Sequence, residues 1–136
     1  MEKVFVDTDI ILDLLSEREP FYVHSATLFS RADKGEVNLF VSSLSFANLN
    51  YILSRQYSED QARKKLLKFK TLVTVLAVND KIIDLALSSD FKDFEDGIQY
   101  FTSIENSIKI ILTRNLRDFK TSEIPVMTAE QFLSAS

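Results

Sequence analysis

The stretch VFVDTDIILDLL, residues 4–15, sets three aspartates, Asp7, Asp9 and Asp13, inside one of the most apolar segments of the chain. Val4 to Val6 form a short β-rich run, and the residues from Asp9 to Leu15 have helical spacing, so Asp7 falls at a strand end. A carboxylate is costly to bury without a partner. The three acids therefore either perform chemistry or satisfy the start of a helix. Asp7 and Thr8 both suit a helix cap. Asp9 suits the first helical turn, where the dipole favours negative charge. Asp13, four residues beyond Asp9, reads as part of a solvated polar stripe.

The same alternation continues along the chain. Runs 3–7, 38–42, 71–78, 108–113 and 124–127 read as strands. Segments 9–15, 21–34, 44–56, 58–69, 80–88, 95–106 and 129–135 have helical spacing. Only two glycines and two prolines occur, with no repeat and no linker. Strands alternating with helices imply an α/β three-layer sandwich, a mainly parallel sheet of about five strands with helices on both faces. At 136 residues the chain reads as one domain, 1–136.

Composition narrows the chemistry. No cysteine is present, which removes disulfides, thiolate metal sites and cysteine nucleophiles, and the single histidine, His24, makes a histidine zinc cage untenable. His24 shares a helical face with Phe21 and Leu28 and reads as a structural or surface residue. Any metal would be held by oxygen, which favours magnesium or manganese. No apolar run approaches the ~20 residues that span a bilayer. The N-terminus also lacks a signal core, so the expected location is cytoplasmic, with no membrane partner. The net charge of −4 gives no global basic field, but residues 62–70 and 113–120 hold eight of the sixteen Lys and Arg.

In parallel α/β sheets ligands bind beyond the carboxyl ends of the strands. That rule selects Asp7 after the first strand and Ser42 and Ser43 after the second. It also selects Thr113, Asn115 and Asp118 after the fourth, and Asp96 at the head of the helix before it. Each acid alone has a plain explanation as a cap, a dipole acid or a salt-bridge partner. Together, carboxylates converging on one rim repel one another unless a cation sits among them. Mg²⁺ or Mn²⁺ held there would serve metal-assisted hydrolysis of a phosphodiester.

The ordered set VFVDTDIILDLL, FVSSLSFANLNYIL, FEDGIQYF and ILTRNLRDF resembles the PIN domain, particularly the VapC-like toxin ribonucleases, from Lys3 to about Phe132. The resemblance implies a metal-dependent endoribonuclease, the toxin of a type II toxin–antitoxin pair. Asp7, Asp96 and Asp118 would be catalytic metal ligands for Mg²⁺ or Mn²⁺, with Asp9, Asn48, Thr113 and Asn115 supporting. Arg114, Arg117 or the basic helix around 63–70 would contact RNA. Expected partners are RNA, a small antitoxin protein filling the acidic groove, and a second copy of the chain. Phe46, Tyr51 and Phe69 are candidates for that homodimer face, although aromatics at helical spacing more often pack in the core.

One departure stands out. The family usually carries a glutamate in the helix after the second strand, where this chain has Asn48, so Asp9 is expected to return the lost charge. Asn48 also supports an alternative reading as a PIN-like RNA- or protein-binding module with a weakened site. VFVDTD fits a second pattern as well, the strand-Asp-x-Asp of haloacid-dehalogenase-like phosphatases. Those usually continue Gly-Thr, where this chain has Ile10 and Ile11.

Overall fold

The computed structural model describes residues 2–135. Five strands form one sheet: β1 (Lys3–Val6), β2 (Asn38–Ser42), β3 (Thr74–Leu76), β4 (Ile110–Leu112) and β5 (Val126–Met127). They lie in the order β3-β2-β1-β4-β5, and every pair is parallel. Seven helices surround them: α1 (Thr8–Leu15), α2 (Tyr22–Asp33), α3 (Ser43–Gln56), α4 (Glu59–Lys70), α5 (Asp80–Leu87), α6 (Phe94–Glu105) and α7 (Ala129–Ala135). Among the described residues no helix is long and apolar enough to cross a membrane.

The strands are apolar on both sides because both faces are covered. Val4 and Val6 of β1 join Leu39 and Val41 of β2 in a core beneath α1, α2, α3, α4 and α7, which also takes in Phe29, Leu49, Leu53 and Phe69. Phe5 and Ile111 point the other way, into a smaller core with Tyr100 of α6, Ile108 and Phe119. The period-2 alternation within these short strands thus assigns each side chain to one layer. Local chemistry sets the helix ends. Ser58, Asn79 and Asp93 each accept a backbone N–H three residues on, opening α4, α5 and α6. Thr128 and Gln131 exchange two hydrogen bonds in a capping box at the start of α7. Gly35, at φ +76°, ends α2 in the left-handed conformation that glycine adopts without strain.

Three expectations change. The apolar run 71–78 yields only the three residues of β3, because Thr71 still belongs to the end of α4, its hydroxyl donating to the Lys68 carbonyl. Phe69 is core, edge-on to Phe29, and Phe46 packs beside it; of the proposed homodimer aromatics only Tyr51 is exposed. Asp13 is not solvated. It is 1% exposed, and the Arg114 guanidinium grips it in a fork, Nε to Oδ2 at 2.8 Å and Nη2 to Oδ1 at 3.1 Å. Arg18 adds a second cation at 3.4 Å. The helical stripe beginning at Asp9 faces not water but the loop after β4, and that loop supplies the counter-charge.

Removing Asp13 would leave Arg114 without its counter-ion in a partly buried place. Breaking a fully buried pair costs ~3–5 kcal/mol. Both arginines keep some solvent contact, so Asp13→Ala should destabilise the chain by about 2–3 kcal/mol in urea denaturation. A loss below about 1 kcal/mol would mean that the clasp is not structural.

Candidate active site

β1 and β4 pair in register Val4–Ile110, Phe5–Ile111 and Val6–Leu112, and the ladder continues as the Asp7 N–H donates to the Leu112 carbonyl at 2.9 Å. This contact sets Asp7 against Thr113, at the point where the strand order reverses. Asp7 is 5% exposed. Its Oδ1 accepts the Thr8 N–H at 2.8 Å and its Oδ2 accepts the Thr113 hydroxyl, also at 2.8 Å. That hydroxyl has one proton and also lies 3.4 Å from Asp9 Oδ2, so the nearer carboxylate receives it. Asp9 Oδ2 accepts the Arg114 N–H at 3.0 Å instead, while its Oδ1 is buried with no partner among the described residues.

Burial and then the neighbouring Asp9 charge push the Asp7 carboxyl up to about 7, against the pull of the Thr113 and Thr8 hydrogen bonds. Asp9 is raised by burial against the opposing Arg114 amide bond. Asp96, half-buried in the first turn of α6, reaches about 7. Burial is again the main cause, followed by the charges of Asp93, Asp118, Asp9 and Glu95. Asp118 is exposed, on the 3-10 turn Leu116–Phe119, which is anchored by buried Phe119 and begins where the Asp118 N–H donates to the Asn115 carbonyl. Acids from three places in the sequence thus act on one another electrostatically at one sheet edge.

The supporting residues divide. Thr113 is fully buried and touches Asp7 directly. Asn115 is exposed and shapes the turn through its backbone, its N–H donating to Thr113 Oγ1. Asn48 donates to Glu95 Oε2 at 3.3 Å, so the carboxylate beside it is Glu95 and not Asp9, whose bonded oxygen is taken by Arg114. The Arg114 guanidinium, expected to contact RNA, is committed to Asp13 and stacked 4.0 Å from the Phe21 ring. Arg117 is exposed on the 3-10 turn.

Gln99 escaped the sequence reading. It is 2% exposed, one turn after Asp96, and its amide donates to Thr8 Oγ1 at 3.1 Å and Ser45 Oγ at 3.0 Å. Thr8 and Ser45 are themselves hydrogen-bonded at 2.8 Å. The node ties the N-terminal halves of α1, α3 and α6 together, near Asp7 and Asp9, Asn48 and Asp96. Gln99 Oε1 is buried with no partner among the described residues. Lying between apolar Ile98 and Tyr100, Gln99 carries no local signal in the sequence.

The oxygen-only donor set suits a hard divalent cation. Among the described residues no group of three or more His, Asp or Glu side chains is placed to hold a metal ion. Magnesium does not require one, since it binds through one or two carboxylates and keeps several waters. The unpartnered Asp9 Oδ1 and the raised carboxyls of Asp7 and Asp96 are what a cation would relieve. The residues fit the ion.

A PIN domain family model matches residues 3–117. The chain belongs to the PIN domain family. Ribonuclease VapC1 of Aquifex aeolicus (strain VF5) is 30% identical over 139 residues, covering 96% of this chain and 93% of that protein. Among solved structures, a toxin-antitoxin complex from Klebsiella pneumoniae superposes with a TM-score of 0.68 at 20% identity, covering 93% of this chain and 97% of that one. Mycobacterium tuberculosis VapC20, a Sarcin-Ricin loop cleaving toxin, gives 0.64 at 16% identity over 79% of this chain and 86% of its own. Likeness at these identities bears on the fold, which is the PIN fold. PIN ribonucleases as a family work with a divalent metal, and family membership sets aside the phosphatase alternative.

Two measurements test this site. Between the unfolded carboxyl value of 3.8 and the folded value of about 7, the metal-free fold holds protons that the unfolded chain has released. Stability from Asp7 and Asp96 is therefore present at acid pH and is lost as pH rises through about 7. Melting temperature in metal-free buffer should fall between about pH 5 and pH 8. Asp7→Asn should flatten that slope, and Mn²⁺ should restore the melting temperature at the alkaline end. Second, Gln99→Met removes two hydrogen bonds worth ~1 kcal/mol each but also an unsatisfied oxygen costing ~1–3 kcal/mol. Its melting temperature should stay close to wild type while calorimetric Mn²⁺ affinity weakens several-fold. Unchanged metal affinity would reduce Gln99 to a packing residue.

Proposed function

We propose that this PIN domain is a Mg²⁺- or Mn²⁺-dependent endoribonuclease, the toxin of a toxin–antitoxin pair, with Asp7, Asp96 and Asp118 as its catalytic carboxylates. The observation that carries the reading is the convergence of Asp7, Asp9 and Asp96 on the carboxyl edge of β1 and β4, through the Thr113 and Arg114 contacts, with Asp118 adding its charge beside Asp96. The similarity over nearly the whole chain to a protein named a ribonuclease supports it.

In this reading Asp7 and Asp96 hold the cation, with Asp9 and Asp118 adding negative charge around it. A bound divalent ion supplies Lewis acidity toward water and the phosphodiester. Thr113 keeps the Asp7 carboxylate in one orientation by donating to Oδ2, and its own backbone is locked as its N–H donates to the Met127 carbonyl at 3.0 Å. Asp96 is less enclosed than Asp7 and is the acid with access to a proton from the attacking water. Exposed Arg117 and the lysines of α4 would bind phosphate, the contact that dominates RNA affinity. Single-stranded RNA in a loop is the favoured target, since its backbone and bases are open.

The antitoxin assignment draws on the fold shared with a structure described as a toxin-antitoxin complex. A second copy of the chain as partner, a single domain over 1–136 and a cytoplasmic location complete the proposal. The weakened-module alternative rests on Asn48, and the Asn48–Glu95 contact returns a carboxylate to that corner.

Cleavage of a structured RNA is the test. Wild type should cut in Mn²⁺ and stop with EDTA, and Asp7→Asn should lose at least ~100-fold in rate, about 2.7 kcal/mol of transition-state stabilisation. Equal cleavage by the two proteins would refute the catalytic role of Asp7, and absence of cleavage by wild type would favour the binding module.

A further inference from the structure

A cavity of about 460 Å³ opens beyond the acid cluster, between α1, the start of α2 and the start of α7. It stands at the β4–β5 end of the carboxyl edge, for Arg114 lies two residues past β4 and Thr128 directly follows β5. The link to the acids is short and runs through one residue. The Arg114 N–H donates to Asp9 Oδ2 at 3.0 Å, while the Arg114 side chain walls the cavity. A strand leaving the acids toward β5 would meet this cavity next.

Its lining sets the Phe21 ring beside apolar Ile10, Pro20 and Ala129 and polar His24, Arg114 and Glu130. The Phe21 ring is 38% exposed and is backed by the Arg114 guanidinium at 4.0 Å. Asp13 holds that guanidinium in its plane through the two-point fork. His24 borders the cavity, its Nε2 3.5 Å from Glu130 Oε2. Ser25 and Thr128 also line it, with the Ser25 hydroxyl donating to the Ile10 carbonyl at 3.0 Å and the Thr128 hydroxyl accepting the Gln131 N–H at 3.1 Å. A phosphate would meet the Glu130 carboxylate and an Arg114 guanidinium already committed to Asp13, and a purely apolar group would strip water from His24 and Glu130 without replacing it. A nucleobase has what both lack: a π-face for the ring and donor and acceptor edges for the rim.

We infer that this cavity is a nucleobase subsite, in which Phe21 stacks a base of the RNA strand flanking the phosphodiester at the acid cluster. The inference rests on the ribonuclease reading for its substrate class. It assigns Phe21 and His24 to substrate selection, and it gives the buried Asp13–Arg114 pair the task of keeping the stacking ring backed and fixed.

Binding tests it without requiring cleavage. Affinities of the full chain carrying Asp7→Asn are measured in Mg²⁺ by fluorescence anisotropy, with a short labelled single-stranded RNA and with the same RNA made abasic at one position at a time. One abasic position should weaken binding about tenfold, the loss of one stacked base. Adding Phe21→Leu, which keeps an apolar side chain at the cavity wall, should weaken the intact RNA by a similar factor and abolish sensitivity to that one position. Melting curves identify any variant that has lost its fold, and His24→Ala is then measured in its place as a second rim probe. Unchanged affinity with Phe21→Leu, losses that add at every abasic position, or no RNA binding at all would overturn the subsite. So would a Phe21→Leu effect confined to a partner peptide. Metal-dependent cleavage by wild type, run alongside, reports separately on the ribonuclease reading.

Discussion

Like charges held close together at a sheet edge govern this molecule. Asp7, Asp9 and Asp96 are all pushed toward their neutral forms, with burial as the main cause and one another's charge as the next influence for Asp7. The surrounding structure answers that repulsion in pieces. A hydroxyl from Thr113 goes to Asp7, a backbone amide from Arg114 goes to Asp9, and a full guanidinium goes to Asp13 farther along α1. Three acids between residues 7 and 13 are met by two consecutive residues after β4, Thr113 and Arg114. That economy depends on β4 pairing directly with β1, because only then do residues 113 and 114 arrive alongside residues 7 to 13.

Part of this was readable beforehand. The alternation of β-rich and helical runs gives the layered α/β fold, since short strands buried on both faces leave a continuous apolar signature that loops and amphipathic helices do not. The rule that ligands gather at strand carboxyl ends selected Asp7, Asp96, Thr113 and Asp118, and these do stand at one edge. The acids of the first motif were harder. Asp9 and Asp13 both look like a polar helical stripe, and nothing in the local sequence tells that the stripe faces Arg114. The partner lies about a hundred residues away, so the pattern is the same for a solvated face and for a buried ion pair.

Gln99 was hidden for a related reason. Its neighbours in sequence, Ile98 and Tyr100, are core residues, and a polar side chain between them has no local meaning. Its meaning comes from the three helix starts that meet there, and meeting is a tertiary fact. An apolar residue at this position would leave α1, α3 and α6 unlinked.

The β1–β4 pairing has a consequence in time. Val6 meets Leu112 in the finished sheet, so a chain emerging from the ribosome exposes Asp7 and Asp9 about a hundred residues before their partners, Thr113 and Arg114, exist. Until Thr113 and Arg114 emerge, the first helix carries unpaired carboxylates and no cavity beside them. A half-made chain is therefore chemically silent, and whatever this edge does begins only when the last strands dock.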